Sequence, residues 1–190
     1  VYVGEVWLAS GQSNMELTVS ETATAAADLK DAARHPLIHI YNQRARFQPF
    51  AVEWSEEELE EVNRLRYLRP TRWQQSSAAA IKGFSSIGYH FARVLADSLH
   101  CPVGIICNAV GGATCEAWID SLTLQTNFKE ILDDFPDNSL IMEWARKRVA
   151  KNCAKAVSER QLHPYMPAYL YNCGLRPWQG YALRGVLWYQ

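Results

Sequence analysis

Residues 4–16, Gly-Glu-Val-Trp-Leu-Ala-Ser-Gly-Gln-Ser-Asn-Met-Glu, read as an apolar strand that runs straight into a glycine-led polar turn displaying Ser13. Open α/β sheets bind ligands outside the carboxyl ends of their strands, so a hydroxyl there, beside the first turn of a helix, stands where a substrate would. Backbone N–H groups at a helix start favour developing negative charge, which suits attack of that hydroxyl on an ester carbonyl. Ser13-Asn14-Met15-Glu16 also fits the S-x-x-E capping box, in which serine and glutamate satisfy each other's backbone donors and no chemistry is implied. The turn alone supports nucleophile and cap equally.

The 190 residues are 48% hydrophobic and 21% charged, with a formal net charge of −1. That balance speaks against disorder, against a polyanionic partner such as nucleic acid and against a membrane-surface role. The length suits a single α/β domain over 1–190, burying roughly 70% of its unfolded surface. No apolar run reaches the ~20 residues of a membrane span. Val1 leads directly into a strand with no initiator methionine and no charged-then-apolar leader, so any targeting segment is expected to have been removed or to lie outside these residues. Five cysteines (Cys101, Cys107, Cys115, Cys153 and Cys173) come without C-x-x-C spacing or clustered histidines. No metal is expected from them. Cys101 and Cys107 read as small core residues at either end of an apolar strand, and one or two disulfides stay open.

Along the chain strand and helix alternate, which predicts an α/β fold with a parallel central sheet. Strands are expected over 3–9, 37–41, 103–108 and 186–189. A first helix is expected over 15–34, stopped near Pro36. A second, capped by Ser85 or Ser86 and running to about Leu99, is expected to bury Ile87, Phe91, Val94 and Leu95. Two stretches read as surface insertions. In 47–75, the acidic run Glu56–Glu61 is followed by Arg64, Arg66, Arg69 and Arg72, charges that offset each other as a solvated face. The other, 123–165, includes a mostly helical 127–156. Residues 163–177 read as a proline- and tyrosine-rich loop.

The strand over 103–108 ends in Gly111-Gly112-Ala113-Thr114, at the same sheet edge as Ser13. Glycines there let backbone approach a ligand and aim an N–H at it, as an oxyanion hole requires; a tight turn before a helix explains them equally well. Asn108 and Thr114 are as compatible with caps as with substrate contacts. Asp97-Ser98-Leu99-His100 has the spacing of an Asp-x-x-His pair, but it closes the helix feeding the third strand and so belongs at the amino edge, opposite Ser13. Of the other histidines, His35 sits at a helix end, His39 in a strand and His90 on a helix, leaving only His163, in a loop, with any prospect of reaching the site.

Four blocks, 4–16, Gly-Phe-Ser-Ser-Ile-Gly-Tyr-His-Phe-Ala-Arg-Val-Leu (83–95), Pro-Val-Gly-Ile-Ile-Cys-Asn-Ala-Val-Gly-Gly-Ala-Thr-Cys-Glu-Ala-Trp (102–118) and Leu-Arg-Gly-Val-Leu-Trp-Tyr-Gln (183–190), together resemble the sialate O-acetylesterase family of SGNH hydrolases. The resemblance implies a three-layer α/β/α flavodoxin-like fold and removal of O-acetyl groups from sialic acids or related sugars through an acetyl-enzyme. It implies no metal and no organic cofactor. Ser13 matches the family nucleophile and, through its own N–H, part of the oxyanion hole; Gly111 or Gly112 matches the second donor. Gln12 and Asn14 match positions that shape the turn, and Glu116 and Gln190 are carried as site-shaping residues. A secreted, periplasmic or lysosomal location is implied with them.

The chain departs from the family in having Gly-Gly-Ala-Thr where Gly-Gly-Thr is usual, and Cys173 where glycine is common. In the family Trp-Tyr-Gln runs on into Gly-Glu-Ser-Asn, and a later Asp-x-x-His supplies the base. These 190 residues stop before both, which reads as a domain truncated at its carboxyl end, with the remainder of the same catalytic domain conceivable as a second chain. Two other readings stand beside this one. One is the same chemistry on another acetylated carbohydrate such as xylan. The other is a non-catalytic carbohydrate-binding module, supported by Trp7, Trp54, Trp73, Trp118, Trp178 and Trp188, whose rings could stack on sugars.

Overall fold

The computed structural model describes residues 2–50, 52–158 and 160–190. Strands β1 (Glu5–Gly11), β2 (Ile38–Asn42), β3 (Gln74–Gln75), β4 (Val103–Cys107) and β5 (Gly185–Tyr189) form one sheet in the order β3-β2-β4-β1-β5. The four longer strands are parallel, while β3 is a two-residue antiparallel edge on β2, so the sheet is mixed rather than wholly parallel. Among the parallel strands the spatial order is second, third, first, fourth. A flavodoxin-like sheet puts the first strand between the second and third. Here β4 takes the slot between β2 and β1, and its run of buried Val103, Ile105, Ile106 and Cys107 suits a strand covered on both faces.

The described residues gather into two compact units. One comprises 1–44, 70–111 and 181–190 and carries the whole sheet; the other comprises 45–69 and 112–180.

In the first unit, side-chain alternation sends Ile38 and Ile40, Val103, Ile105 and Cys107, and Ala9 to one face. There they join a buried cluster with Ile81 of the short helix α4 (Ala78–Lys82), with Phe84 and with Tyr89, Ala92 and Ala96 of the long helix α5 (Ser86–Leu99). Each of these isoleucines contributes about 2 kcal/mol by leaving water. Of the two serines expected as caps, Ser85 holds the position, its hydroxyl accepting from the Gly88 N–H at 3.1 Å. The buried face is not the one expected: Phe91 and Leu95 are half-buried, while Ile87 and Val94 are exposed. Small residues at 88, 92 and 96 hold the inward stripe because they let the helix backbone approach the sheet closely, and Tyr89 fills the space beside them.

The continuous helix expected over 15–34 is broken into α1 (Ser13–Glu16), a 3₁₀ turn at Val19–Glu21, α2 (Ala25–Asp31) and a second 3₁₀ turn at Ala32–Arg34. Hydroxyl side chains are responsible, since they offer the backbone local partners that compete with a helix. The Glu21 carboxylate accepts from the Thr18 N–H at 2.8 Å and the Thr18 hydroxyl at 2.6 Å, and the Thr22 hydroxyl donates to the Val19 carbonyl at 2.8 Å. α2 is fastened to α5 by buried Asp28, which meets Arg93 at 3.0 Å and His90 at 3.2 Å. Burial pushes the Asp28 pKa up, but the Thr24 hydroxyl, His90 and Arg93 outweigh it and hold the group below the usual carboxylate range.

In the second unit, the part of the expected insertion 47–75 that it holds contributes buried side chains. Trp54, Leu59, Val62 and Tyr67 are buried, and the Tyr67 hydroxyl donates to the Phe47 carbonyl at 2.8 Å. The charges are solvated as expected: α3 (Glu56–Asn63) is capped by Ser55, and Glu61 faces Arg46 and Arg66, each at 3.4 Å. The largely helical 127–156 reduces to the end of α6 (Ser121–Asn127), a 3₁₀ turn at Lys129–Ile131 and α7 (Glu143–Asn152). Between them Asp134, Pro136 and Asn138 impose turns, with the Asn138 amide donating to the Glu130 carbonyl at 2.6 Å and the Asp133 carbonyl at 2.8 Å. Within the expected loop over 163–177, Tyr171–Leu175 winds as a π-helix.

Candidate active site

β1 ends at Gly11, whose φ is +125° and whose Cβ, if present, would lie 2.1 Å from the Tyr189 carbonyl oxygen. Only glycine lets β5 pass this close. The next amide, Gln12 N–H, donates to the same oxygen at 2.9 Å. The chain then turns into α1 with Ser13 as its first helical residue; Ser13 and Asn14 are exposed, and Met15 is buried beneath them at 2% exposure. The Ser85 hydroxyl meets the Met15 sulfur at 3.6 Å, seating the turn on the core.

This turn lies at a switch point in the strand order. β1 neighbours β4, and their connections leave in opposite directions along the sheet, towards β2 and β5 respectively. Such a switch point, at the carboxyl ends of the strands, is where α/β sheets hold ligands. Gln190 leaves β5 at this same edge. A recess of about 470 Å³ lined by Tyr2, Glu5, His39, Trp73, Gln75 and Tyr181 lies at the opposite, amino edge. Volume does not place chemistry there: Glu5 is engaged by the Trp7 indole at 3.1 Å and by Arg184 at 3.5 Å, and the His39 ring is covered by Tyr2 at 4.2 Å.

The capping box at Ser13–Glu16 is absent. Gln12 holds the N-cap position, no side chain caps α1, and the Glu16 carboxylate turns instead to the Gly111 N–H at 2.6 Å, with Arg44 at 3.9 Å. Burial raises the Glu16 pKa, partly offset by the Gly111 N–H and the Arg44 charge. Two consequences follow for the residues read from sequence. Ser13 is left with a free-facing hydroxyl rather than a structural duty. Gly111, a candidate oxyanion donor, has its N–H committed to Glu16. A one-turn helix also adds little dipole, so anion stabilisation at Ser13 reduces to local N–H groups.

Gly112 and Glu116 belong to the second unit. Gly112 has φ +74°, and a Cβ there would meet the Tyr165 hydroxyl at 2.5 Å and Arg148 at 2.6 Å. Glu116 is half-buried in the 3₁₀ turn Cys115–Trp118, its carbonyl accepting from the Ala168 N–H at 2.9 Å. Thr114 precedes that turn, its hydroxyl donating to the Tyr165 carbonyl at 3.3 Å. All five cysteines are free thiols, and burial pushes Cys173 up to about 12.

The histidines are engaged elsewhere. His100 ends α5 with φ +53°, at the amino edge, and Asp97 faces His35 at 3.6 Å. His163 is fully buried: it stacks on Trp54 at 5.0 Å, its Nδ1 accepts from the Tyr165 N–H at 3.0 Å and its Nε2 donates to the Asn152 side-chain oxygen at 3.0 Å. Both ring nitrogens are used, so His163 is a core residue and no base. Burial lowers its pKa from 6.5 to about 3. The unfolded chain therefore binds a proton below pH 6.5 that the folded chain refuses, and stability is full above that pH and lost as pH falls towards about 3, at roughly 1.4 kcal/mol per unit. Urea unfolding at pH 7.5 and pH 5 is expected to show this loss in the wild type and to show less of it in His163→Gln; identical pH slopes would refute the assignment.

Glu16, read only as a capping partner, and Arg44, not read at all, are the members of this site that sequence reasoning missed. The one available signal was a carboxylate three residues after the serine, hence on the same helical face. The tryptophans give the binding-module reading little: Trp54 and Trp118 are buried, Trp7, Trp73 and Trp178 are half-buried, and of the six only Trp188 is exposed. Among the described residues no group of His, Cys, Asp and Glu could hold a metal ion, and no helix is long and apolar enough to cross a membrane.

A mainly parallel sheet with an exposed serine on a single helical turn at its switch point defines an α/β protein with a candidate nucleophile at the carboxyl edge of its sheet. Residues 3–190 match the family model described as carbohydrate esterase, sialic acid-specific acetylesterase, and the chain belongs to that family. It is 29% identical over 197 residues to the sialate O-acetylesterase of Mus musculus, a match spanning all of this chain and 35% of that protein. To the Homo sapiens protein of the same name it is 28% identical over 190 residues, spanning 31% of it. The chain thus spans about a third of the length of these curated relatives. The crystal structure of a carbohydrate acetylesterase from Xanthomonas citri superimposes with a TM-score of 0.63 at 24% identity, over 98% of this chain and 32% of that one, which shows a shared fold.

Proposed function

We propose that this chain is the nucleophile-bearing part of a serine esterase that removes O-acetyl groups from sialic acids or related acetylated sugars, on a three-layer SGNH-type fold. The observation that carries this reading is Ser13, exposed at the switch point on a turn seated by Gly11 and Met15 and excused from capping. The Ser13 oxygen attacks the acetyl carbonyl, and the oxyanion that forms is met by the Ser13 N–H. Collapse expels the sugar hydroxyl and leaves an acetyl-enzyme, which water cleaves to acetate. A serine needs a base to take its proton. Since His35 and His90 face carboxylates, His39 is covered by Tyr2, His100 closes α5 at the amino edge and both ring nitrogens of His163 are bonded, the base and its orienting carboxylate are assigned to the part of the relatives' length that this chain does not span. A secreted, periplasmic or lysosomal location fits a glycan substrate.

The test is intact mass and peptide mapping of the full-length protein after a serine-directed fluorophosphonate, alongside turnover of O-acetylated sialic acid and acetylated xylan. A single adduct on Ser13 and faster release from the sialic acid are expected. An active protein labelled elsewhere would refute Ser13, and preference for xylan would refute the substrate class.

A further inference from the structure

Glu16 offers an inference that rests on that reading and goes past it. Its carboxylate is mostly withdrawn from water, at a cost that drives its pKa upward, and yet it is spent on a single backbone amide on another strand's turn. At 2.6 Å the contact with the Gly111 N–H is a short hydrogen bond of the charge-assisted kind. Arg44, just past β2, faces the other oxygen at 3.9 Å and is itself directed at the Gly83 carbonyl at 3.4 Å, which the Asn42 amide also holds at 2.7 Å. Ser13 and Glu16 stand three residues apart on α1 and share a face. The contact therefore holds the turn after β4 against the side of α1 that presents the nucleophile. Two backbone bonds work with it, Asn108 N–H to the Ala9 carbonyl at 3.2 Å and Val110 N–H to the Gly11 carbonyl at 3.1 Å.

We infer that Glu16 is a positioning residue for the esterase reaction: by clamping the Gly111 amide it sets the turn after β4 at a fixed distance from the Ser13 hydroxyl. Gly111 thereby serves as an anchor for the turn beside Ser13 and not as an oxyanion donor. A shift of about 1 Å in such a turn costs on the order of 10²-fold in rate.

The experiment compares Glu16→Ala, Glu16→Gln and Ser13→Ala in the full-length protein. It follows kcat and KM for p-nitrophenyl acetate, the rate of fluorophosphonate labelling, and Tm. Glu16→Ala is expected to lower kcat and labelling together by about 10²-fold with KM little changed. Glu16→Gln, whose amide oxygen can still accept from Gly111, is expected to recover at least tenfold of that loss, on the order of the value of a weakened hydrogen bond. Wild-type rates in Glu16→Ala, no recovery in Glu16→Gln, or a change confined to KM would each overturn the positioning role. If Glu16→Ala fails to fold, Glu16→Gln at below about a hundredth of the wild-type rate overturns it by itself. An active Ser13→Ala protein would remove the esterase reading altogether, whereas an inactive one beside an undisturbed Glu16→Ala removes only the role of Glu16.

Discussion

Alanine at Ser13 is expected to lower kcat for acetyl-ester hydrolysis in the full-length protein on the order of 10⁵-fold or more, the scale seen when a serine nucleophile is deleted from an intact site. Stability is expected to stay within about 0.5 kcal/mol of wild type, because the side chain is exposed and caps nothing. The pairing of these two readouts separates the alternatives. A capping serine would give the opposite result, a loss of about 1 kcal/mol with turnover retained. Circular dichroism melts and initial rates on one preparation check both, and a Ser13→Ala protein with undiminished turnover would sink the assignment.

Gly11→Ala is expected to have the largest effect on stability. The residue sits at φ +125°, and the new methyl carbon would stand 2.1 Å from the Tyr189 carbonyl oxygen, a backbone atom that cannot swing aside like a side chain. Backbone strain of about 1–3 kcal/mol adds to a similar overpacking cost, together about 4 kcal/mol. Relief would require β1 and β5 to part at their carboxyl ends. That movement breaks the Gln12 to Tyr189 hydrogen bond and displaces the turn carrying Ser13. Labelling of Ser13 should therefore fall with stability. A variant that melts and labels like the wild type would mean that the strands are not seated as described.

Much of this was legible along the chain. Strong apolar runs announced β1, β2, β4 and β5 within about two residues, since burial demands such runs wherever strands are covered. Ser85 announced the start of α5 through its capping chemistry. The first helix misled because Ala25, Ala26, Ala27 and Leu29 imitate a helical stripe, while the competing hydroxyls of Thr18 and Thr22 exert themselves only once Glu21 and the Val19 carbonyl are in place. The inward face of α5 misled because close packing on a sheet selects small residues over large ones. The aromatic core supplied by 45–69 was hidden by the acidic and basic runs around it, whose charges stay in water while Trp54 and Tyr67 turn inward.

By itself the sequence determined that the chain is α/β, that a glycine-led turn presents Ser13 at a strand's end, and, through its motif blocks, the family to which it belongs. These are local properties, written in residues adjacent in the chain. Tertiary structure alone decided that β4 lies between β2 and β1, that Glu16 turns from its own helix to the Gly111 amide, and that His163 is a neutral core residue. Each depends on groups far apart in sequence, Glu16 with Gly111 or Trp54 with His163. Their energies arise only when folding excludes water between them, and no local pattern encodes that.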